Sequence, residues 1–385
     1  MELVVQVKLL PSPAQAAALQ ATLRACNRAA GHVARVAFES GTRDRNGLQK
    51  LVYAEIKAEF GLSAQPAVRV VKKVVDSYAA LAAQAKAGIL GPPMCKRFRA
   101  ATGRPVAFRP QAAQPFDDRC LSWQTDARTV SIWTVAGRMK GLCYTGAAGQ
   151  LKTLADHRKG ESDLVQRGRA WFLVATCEVP EPEVYEPVDW VGVDRGIVNL
   201  ATTSDGGNHN GRRLSRYRRW HSRKRAELQA RKTRSARRRA ARRARKEHRH
   251  ATHVNHKISK EIVSVAQRTG RGVAVEELDG IRDRVRLRRD QRGMLCSWPF
   301  HQLGRHLQYK ARRAGVPFLE VDAAYTSQCC PRCRHTDRAN RPTREHFHCR
   351  RCGLAGPADH VAGVNVRNRA RSAWVFVTMP VPAPA

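Results

Sequence analysis

The sequence contains no run of eighteen apolar residues, the length that a helix needs to cross a membrane. Its first residues, MELVVQVKLLPSP, lack the charged and apolar regions of a secretory signal peptide. Acidic residues are scarce, because 32 Asp and Glu stand against 70 Lys and Arg, for a formal net charge of +38. A membrane-spanning or secreted protein is therefore not expected, and the charge excess predicts a polyanionic partner.

The chain has 385 residues, of which 42% are hydrophobic, and these values are typical of two or three folded domains. Its 11 cysteines are an odd number, and apart from one cluster they are scattered rather than arranged as a disulfide framework. This usage indicates a reducing compartment, so a cytoplasmic protein is expected. Nucleic acid is then the expected polyanion, and no membrane partner is predicted. The sequence does not determine the oligomeric state.

Four cysteines form two C-x-x-C pairs with fifteen residues between the pairs. This spacing can place four thiolates tetrahedrally around one Zn²⁺ ion and fills every coordination position, so a structural zinc is predicted. The predicted ligands are Cys330, Cys333, Cys349 and Cys352. Cys329 is a competing thiol, but Cys330 is preferred because it keeps the two-residue spacer. His346 and His348 are expected to be exposed loop residues rather than ligands.

The first half of the chain changes its pattern twice. The pattern of residues 1–10 predicts a strand. Apolar residues then repeat at helical spacing, and frequent Pro and Gly residues end this helical pattern. Residues 129–135 and 171–179 alternate apolar and polar side chains, as half-buried strands do. We therefore expect a β-barrel built from residues 1–10 and 105–180, with a helical domain at residues 11–104 inserted into it.

Two strongly apolar strands are predicted in the second half of the chain, and acids lie at their ends. Asp194 follows the run at 188–193, and Glu276 and Glu277 lie near the end of the run at 272–278. Adjacent strand residues point to opposite faces, so only one of the two glutamates can reach a given site, and the alternation does not say which. Taken singly, such acids commonly cap turns or pair with arginines.

A third acid, Asp359, lies in the first turn of a predicted helix that follows the cysteine cluster. One mixed sheet would bring Asp194, a strand-end glutamate and Asp359 together. Carboxylate oxygens are the ligands that Mg²⁺ prefers, and two Mg²⁺ ions can stabilise both the attacking and the leaving oxygens of a phosphodiester. The three acids are therefore candidate catalytic and magnesium-binding residues of a nuclease.

The segment 212–249 carries nineteen Lys and Arg and only two Glu. Its Ala- and Arg-rich composition predicts a basic helix that contacts nucleic acid, and a disordered basic arm is the alternative. Lys and Arg on phosphates position a nucleic acid without reading its bases. The candidate phosphate-binding residues are Arg237, Arg238, Arg239, Arg242 and Arg243.

The order of several motifs resembles the TnpB family of transposon-encoded, RNA-guided nucleases, which are related to miniature type V CRISPR effectors. These motifs are VGVDRGI, VAVEEL, TSQCCPRC, FHCRRCG and ADHVAGVNV. The resemblance covers residues 188–370 well, and it extends more loosely to KLLPSPAQAAALQATLRACNRA near the start. It selects Glu276 over Glu277 as the catalytic glutamate. The family usually has Asn two residues after the last catalytic Asp, and in this sequence that position is Val361. Asn365 matches the second Asn of the family pattern.

The resemblance implies an α+β multidomain fold. A ribonuclease-H-like RuvC core with an inserted zinc ribbon would follow the N-terminal β-barrel, a wedge-like domain, and its inserted helical recognition domain. The implied limits are 188–325 and 356–372 for the nuclease domain, 326–355 for the ribbon that binds the target nucleic acid, and 373–385 for a tail.

The resemblance also implies the activity, which is that of an Mg²⁺-dependent, RNA-guided DNA endonuclease encoded by an insertion sequence. Such an enzyme cleaves DNA beside a short flanking motif, and its partners are a guide RNA, the double-stranded DNA target and the displaced strand. Two other functions remain open. One is a guided DNA-binding repressor without cleavage, and the other is a guide-independent basic RNA-binding protein with a zinc ribbon. Acids at all three catalytic positions favour the nuclease.

Overall fold

The computed structural model of the protein describes residues 1–278 and 300–378. The chain divides into two compact units, Met1–Pro180 and Glu181–Ala385. The remaining parts of the predicted nuclease domain and of the predicted tail lie outside the described residues. None of the described helices is long and apolar enough to cross a membrane.

The N-terminal unit contains helices and strands in alternating groups. Its helices are α1 Pro13–Glu39, α2 Arg45–Phe60, α3 Ala64–Lys86, α4 Lys96–Thr102 and α5 Ala148–His157. Its strands are β1 Glu2–Leu9, β2 Gln114–Phe116, β3 Leu121–Gln124, β4 Thr129–Thr134, β5 Gly137–Thr145, β6 Arg158–Arg167 and β7 Ala170–Glu178.

These strands form one nearly closed, barrel-like sheet in the order β2-β6-β7-β1-β5-β4-β3. β1 lies in the middle, because it pairs antiparallel with both β5 and β7. Its residues Val5, Val7 and Leu9 are buried, whereas Val4 is exposed, which is the period of two of a half-buried strand. The first strand of the chain is thus held between strands that come after the helices.

Helices α1 to α3 follow β1 and share a core of their own. Ser12 caps α1, because its hydroxyl accepts a hydrogen bond from the Gln15 N–H while the Gln15 side chain accepts one from the Ser12 N–H. On α2, Leu48, Val52 and Ile56 are fully buried at helical spacing. The helical pattern of this part of the sequence is confirmed as three separate helices.

The C-terminal unit begins after Pro180. Its strands are β8 Trp190–Asp194, β9 Asn199–Thr203, β10 Asn208–Asn210, β11 Gly272–Glu277, β12 Phe318–Asp322, β13 His346–His348 and β14 Ala355–Pro357. Its described helices are α6 Arg212–Ala230, α7 Arg234–Arg268, α8 Phe300–Ala314 and α9 Ala358–Thr378.

Five of these strands form a mixed sheet in the order β10-β9-β8-β11-β12. β8, β11 and β12 are parallel, and β9 is antiparallel to β8. One face of the sheet carries Val191, Val193, Val273 and Val275, which pack into a core with α7 and α8. The other face carries Trp190 and Ala274, which pack with residues of α9. The sheet is therefore covered by helices on both faces, which explains its continuous apolar strands.

The basic segment differs from the single helix that its composition predicts. It forms α6 and the first part of α7, and the chain turns between them at Lys232, whose φ of 51° is left-handed. The two helices pack on each other through a narrow face that includes Leu214, His221 and Leu228 of α6. The segment is therefore a helical hairpin with one buried side, and it is not basic all round.

The expected fold class is confirmed in its coarse form, a mixed α/β protein with a nearly closed, barrel-like sheet. The predicted domain limits remain predictions. Helix α9 continues to Thr378, past residue 372, where the nuclease domain was predicted to end.

Candidate active site

The register of the parallel strands β8 and β11 brings two of the predicted acids, Asp194 and Glu276, together. Val275 of β11 pairs with Val193 of β8, so the residues that follow, Glu276 and Asp194, lie side by side. Each is one residue beyond a valine of the α7–α8 face, so both point to the face covered by α9. Their carboxyl groups are close enough for the charge of Glu276 to act on Asp194. Glu276 is 7% exposed.

Two ionised carboxylates at these positions would repel each other in the absence of a cation. Burial raises the pKa of Asp194 well above its ordinary value, and the negative charges of Glu276 and Asp359 raise it further. Burial also raises the pKa of Glu276, against the opposing effects of the Thr326 hydroxyl and of Arg195. A divalent cation would remove the repulsion, because it favours the ionised form of both groups.

Asp359 lies in the first turn of α9, where its carboxylate is also favoured by the helix dipole. One oxygen accepts a hydrogen bond of 2.9 Å from Asn199 Nδ2, and the other lies 3.3 Å from a guanidinium nitrogen of Arg341. In the part of the chain that the structure describes, the three carboxylates do not form a group whose ligand atoms all lie within 4.8 Å of one another. The structure thus places Asp194 and Glu276 side by side and holds Asp359 near them.

Glu277 points to the opposite face of the sheet. It is exposed and lines a cavity of about 410 Å³ on the α8 side, together with Arg195 and Gly304. Arg195 is 7% exposed, and its guanidinium donates to the backbone carbonyl of Glu276. A Cβ on residue 304 would lie 2.2 Å from this guanidinium, so any larger residue there would have to displace the end of the Arg195 side chain. No sequence pattern marks Arg195 as a functional residue, although it directly follows Asp194.

A second set of residues holds Glu276 and the start of α9 in place, and no sequence pattern marks these residues as a network. The Thr326 hydroxyl donates to the Glu276 carboxylate. The Asn365 side chain donates to the carbonyls of Thr326 and Cys329, each at 2.7 Å, and thereby ties α9 to the segment that leads into the cysteine cluster. Val361 is buried against the cysteines, so the residue that departs from the family pattern has a packing role.

The four predicted zinc ligands converge. All four Sγ atoms lie within 4.8 Å of one another, with 3.5 Å between Cys330 and Cys352 and 3.6 Å between Cys333 and Cys349. Tetrahedral Zn²⁺ with Zn–S bonds of about 2.3 Å needs sulfurs about 3.8 Å apart, so the residues fit this ion. Burial raises the pKa of the Cys349 thiol, but hydrogen bonds from the Cys352 and Arg351 backbones outweigh it and lower that pKa to about 6.

Cys329 does not join this group. Its sulfur contacts the carbonyls of Cys330 and Arg334, and its backbone bridges to Thr336. His346 and His348 lie on β13 with exposed side chains, and β13 pairs antiparallel with β14. The histidines are exposed as predicted, but they lie in a short hairpin rather than in a loop.

Two family models match the C-terminal part of the chain. The model described as "Probable transposase" (OrfB_IS605) matches residues 174–280, and the "Cas12f1-like, TNB domain" model matches residues 300–366. The TnpB-like protein MJ0751 of Methanocaldococcus jannaschii is 30% identical over 122 residues, which are 31% of this chain and 43% of that protein. The resemblance to the TnpB family is confirmed.

Another relative is the CRISPR-associated endodeoxyribonuclease Cas12f1 of Sulfoacidibacillus thermotolerans. It is 36% identical over 113 residues, which are 29% of this chain and 25% of that protein. The matched regions span less than half of either relative. A cryo-EM structure of a Cas12f1-sgRNA-target DNA complex has a TM-score of 0.54 and 14% identity, covering 91% of this chain and 82% of that chain. At this identity the likeness concerns the fold.

The predicted phosphate-binding arginines lie on the first part of α7. Arg237, Arg238, Arg239 and Arg242 are exposed, whereas Arg243 is partly buried. Arg237 also donates to the carbonyl of Lys232 at the turn of the hairpin. The guanidinium groups of the four exposed arginines are accessible at the surface.

Gly192 permits the close contact between β8 and α9 on which the position of Asp359 depends. A Cβ on residue 192 would lie 2.1 Å from the Gly363 carbonyl oxygen and 2.4 Å from the Arg367 nitrogen, both of them backbone atoms. Gly192→Ala is therefore expected to lower the free energy of unfolding by about 1–3 kcal/mol, because α9 must move off the sheet. Urea unfolding measures this change. Gly356→Ala is the matched control, since a Cβ there meets nothing within 4 Å, and an equal destabilisation of both variants would contradict the explanation.

Proposed function

We propose that this protein is an Mg²⁺-dependent, RNA-guided DNA endonuclease encoded by an insertion sequence. The observation that carries the proposal is the pair formed by Asp194 and the buried Glu276 on adjacent parallel strands, with Asp359 beside it, at one end of a mixed sheet in a chain that resembles the TnpB family. Three carboxylates at one sheet edge form an all-oxygen donor set, which suits a hard divalent cation. Cytoplasmic location, a guide RNA and a double-stranded DNA target are parts of the same proposal.

Asp194, Glu276 and Asp359 would hold the metal, for which two Mg²⁺ ions are expected. Bound Mg²⁺ supplies Lewis-acid stabilisation of the phosphodiester oxygens. The chain's own residues hold the carboxylates in place: Thr326 orients Glu276, Asn199 orients Asp359, and Arg195 fixes the backbone of β11. These contacts limit the rotation of the acids before the substrate binds, and such preorganisation is what a catalytic site requires.

The cysteine cluster would hold a structural Zn²⁺ ion in a ribbon inserted between β12 and α9. The support is the convergence of the four sulfurs and the small apolar cluster around them, which includes Phe347 and Val361. Arg341 belongs to this insertion and reaches the Asp359 carboxylate. The ribbon would therefore present basic residues beside the proposed cleavage site, in agreement with binding of the target nucleic acid there.

The target sequence would be recognised by base pairing with the guide RNA, while the protein contacts the sugar–phosphate backbones of the nucleic acids. The net charge of +38 and the basic hairpin of α6 and α7 support this division. The DNA beside the target would carry a short flanking motif that the N-terminal unit recognises. Sequencing of the RNA that copurifies with the full-length protein tests the proposal most directly. One scaffold-plus-guide species, followed by cleavage of a plasmid that carries the matching target, is the expected result.

Two other outcomes of this experiment would change the conclusion. Guided binding without cleavage would assign the chain to the repressors, and a heterogeneous RNA population without target-dependent binding would favour a guide-independent RNA-binding protein. The closeness of Asp194 and Glu276 argues against both, because two desolvated carboxylates repel each other when ionised unless a cation compensates their charge.

The arginines of α7 should contribute phosphate contacts whose strength depends on salt. Replacing Arg237, Arg238, Arg239, Arg242 and Arg243 together with alanine is expected to weaken binding of the guide or target and to leave the preferred sequence unchanged. The log–log salt dependence should become shallower by about 0.9 for each duplex phosphate that the variant no longer neutralises.

Binding titrations at several salt concentrations, on matched and mismatched targets, measure both effects. The same five positions changed to lysine are the control, since the charge is kept and the salt dependence should stay close to that of the wild type. A changed target preference at unchanged affinity would instead mean that these arginines read bases.

A further inference from the structure

Trp220 is an exposed aromatic residue in the middle of the most basic part of the chain. It lies on α6, and 41% of its surface is exposed. Trp220 is not part of the buried side of α6, which includes Leu214, His221 and Leu228. A large apolar ring at the surface among cations is suited to a partner that is both flat and negatively charged.

The indole is held in one orientation by its neighbours. The Arg243 guanidinium, from α7, lies over the ring at 4.8 Å from the centroid. The fully buried His221 meets it edge-on, with 4.7 Å between centroids and 86° between planes, and Tyr217 lies against His221 at 4.4 Å. Burial lowers the pKa of His221, and the nearby arginines lower it further, so this supporting ring stays uncharged.

An ion cluster holds the two helices together next to Trp220. Glu247 of α7, which is 8% exposed, accepts hydrogen bonds from Arg218 and Arg225 of α6. Its carboxylate bridges the helices on both sides of the Trp220 turn, because Arg218 and Arg225 are two turns apart on α6. The indole is thus presented on a preorganised support rather than on a mobile arm, which lowers the entropy cost of binding.

Cations flank the indole on the same side of the helix. Arg216 and Arg223 stand four residues before and three residues after Trp220, a spacing at which helical side chains are neighbours, and both are exposed. An aromatic platform between two cations is the arrangement with which proteins bind single-stranded nucleic acid. The bases of a duplex are already stacked on one another, so a duplex cannot offer a free face to the indole.

We propose that Trp220, supported by Arg243, is a stacking site for an unpaired nucleobase, and that Arg216 and Arg223 contact the phosphates on either side of it. This inference rests on the proposed nucleic-acid function. It adds a residue that would bind by stacking on a base rather than by charge. Arg243 then acts mainly as part of the platform, unlike Arg238, Arg239 and Arg242, whose guanidinium groups are exposed. The unpaired base belongs either to a single-stranded part of the guide RNA or to the displaced DNA strand.

The test measures binding of the full-length protein to a uridine RNA oligonucleotide and to a thymidine DNA oligonucleotide of the same length. The buffer contains no Mg²⁺, so cleavage does not contribute. Trp220→Ala should weaken binding about 5- to 140-fold, with an unchanged dependence on salt, because base stacking releases no counterions. Arg223→Ala should instead make the salt dependence shallower by about 0.7, the value for one phosphate of a single strand that is no longer neutralised. Trp220→Phe should keep most of the affinity.

An oligonucleotide with the same phosphates but abasic sugars is the control. On this ligand Trp220→Ala and the wild type should bind equally, since no base is present to stack. Weaker binding of RNA alone would assign the base to the guide, and weaker binding of DNA alone would assign it to the displaced strand. Wild-type affinity of Trp220→Ala for both oligonucleotides, or an equally large effect on the abasic ligand, would overturn the proposal. Binding is measured without cleavage, so this test is independent of the proposed enzyme activity. If the protein does not cleave DNA but Trp220→Ala weakens binding as expected, the nuclease proposal is overturned and the stacking site is supported.

Discussion

Replacement of any one of Asp194, Glu276 and Asp359 by its amide is expected to slow DNA cleavage by on the order of 10³-fold or more. Each change removes one charged oxygen ligand from the proposed metal site, and stabilisation of the reacting oxygens by such a metal is worth several kcal/mol. Binding of guide and target should remain largely intact, because most phosphate contacts lie elsewhere on the chain. Cleavage of a labelled target and binding of the same target are measured in parallel.

Glu277→Gln is the matched control for Glu276→Gln. The two residues are adjacent on β11, but Glu276 is buried beside Asp194, whereas Glu277 is exposed on the opposite face. The amide at position 276 still accepts a hydrogen bond from Thr326, so the fold should be kept. Full cleavage by the Glu276 variant together with an inactive Glu277 variant would move the catalytic role by one residue. Cleavage that survives all three changes would rule out the nuclease.

The second large effect is expected at the cysteine cluster. The purified protein should contain about one Zn²⁺ per chain, and the ion should contribute roughly 10–16 kcal/mol of binding free energy, as in other structural four-ligand sites. Cys333→Ser or Cys349→Ser should therefore abolish zinc retention, unfold the ribbon and lower the soluble yield. Metal analysis and limited proteolysis of the region around residues 326–357 measure these changes.

Cleavage should fall in the same variants, because the ribbon is continuous with the start of α9. Val361 packs on the cysteine cluster, and Asp359 is two residues away in the same helical turn. Cys329→Ser is the control, since its sulfur contacts only carbonyl oxygens in this region and lies outside the group of four. A zinc-free Cys329 variant together with zinc retention in Cys330→Ser would show that the ligand is Cys329.

Continuous runs of apolar residues were sufficient to locate the strands that carry the acids. Runs of buried valines at β8 and β11, each ending in an acid, need no long-range information to be recognised. The cysteine spacing likewise predicted which sulfurs would meet, because four thiols on two short loops have little freedom. The break between α6 and α7 was missed, since Lys232 adopts a left-handed conformation without a glycine to mark it.

The face of each glutamate was decided only by the tertiary structure. Alternation states that Glu276 and Glu277 point in opposite directions, but it does not say which direction leads to the acids of β8 and α9. The parallel register of β8 and β11 decides this, because Val193 pairs with Val275 and the next residues then share the α9 face. Such a register depends on contacts between residues more than eighty positions apart.

The supporting residues also became visible only in three dimensions. The chain itself determined the types of residue available: acids at strand ends, four cysteines at a metal-binding spacing, and a dense run of arginines. Packing decided that Thr326 meets Glu276, that Asn365 ties α9 to the ribbon, and that Arg243 covers Trp220. Local patterns report the preferences of one segment, whereas these contacts join separate segments whose distance is set by the core between them.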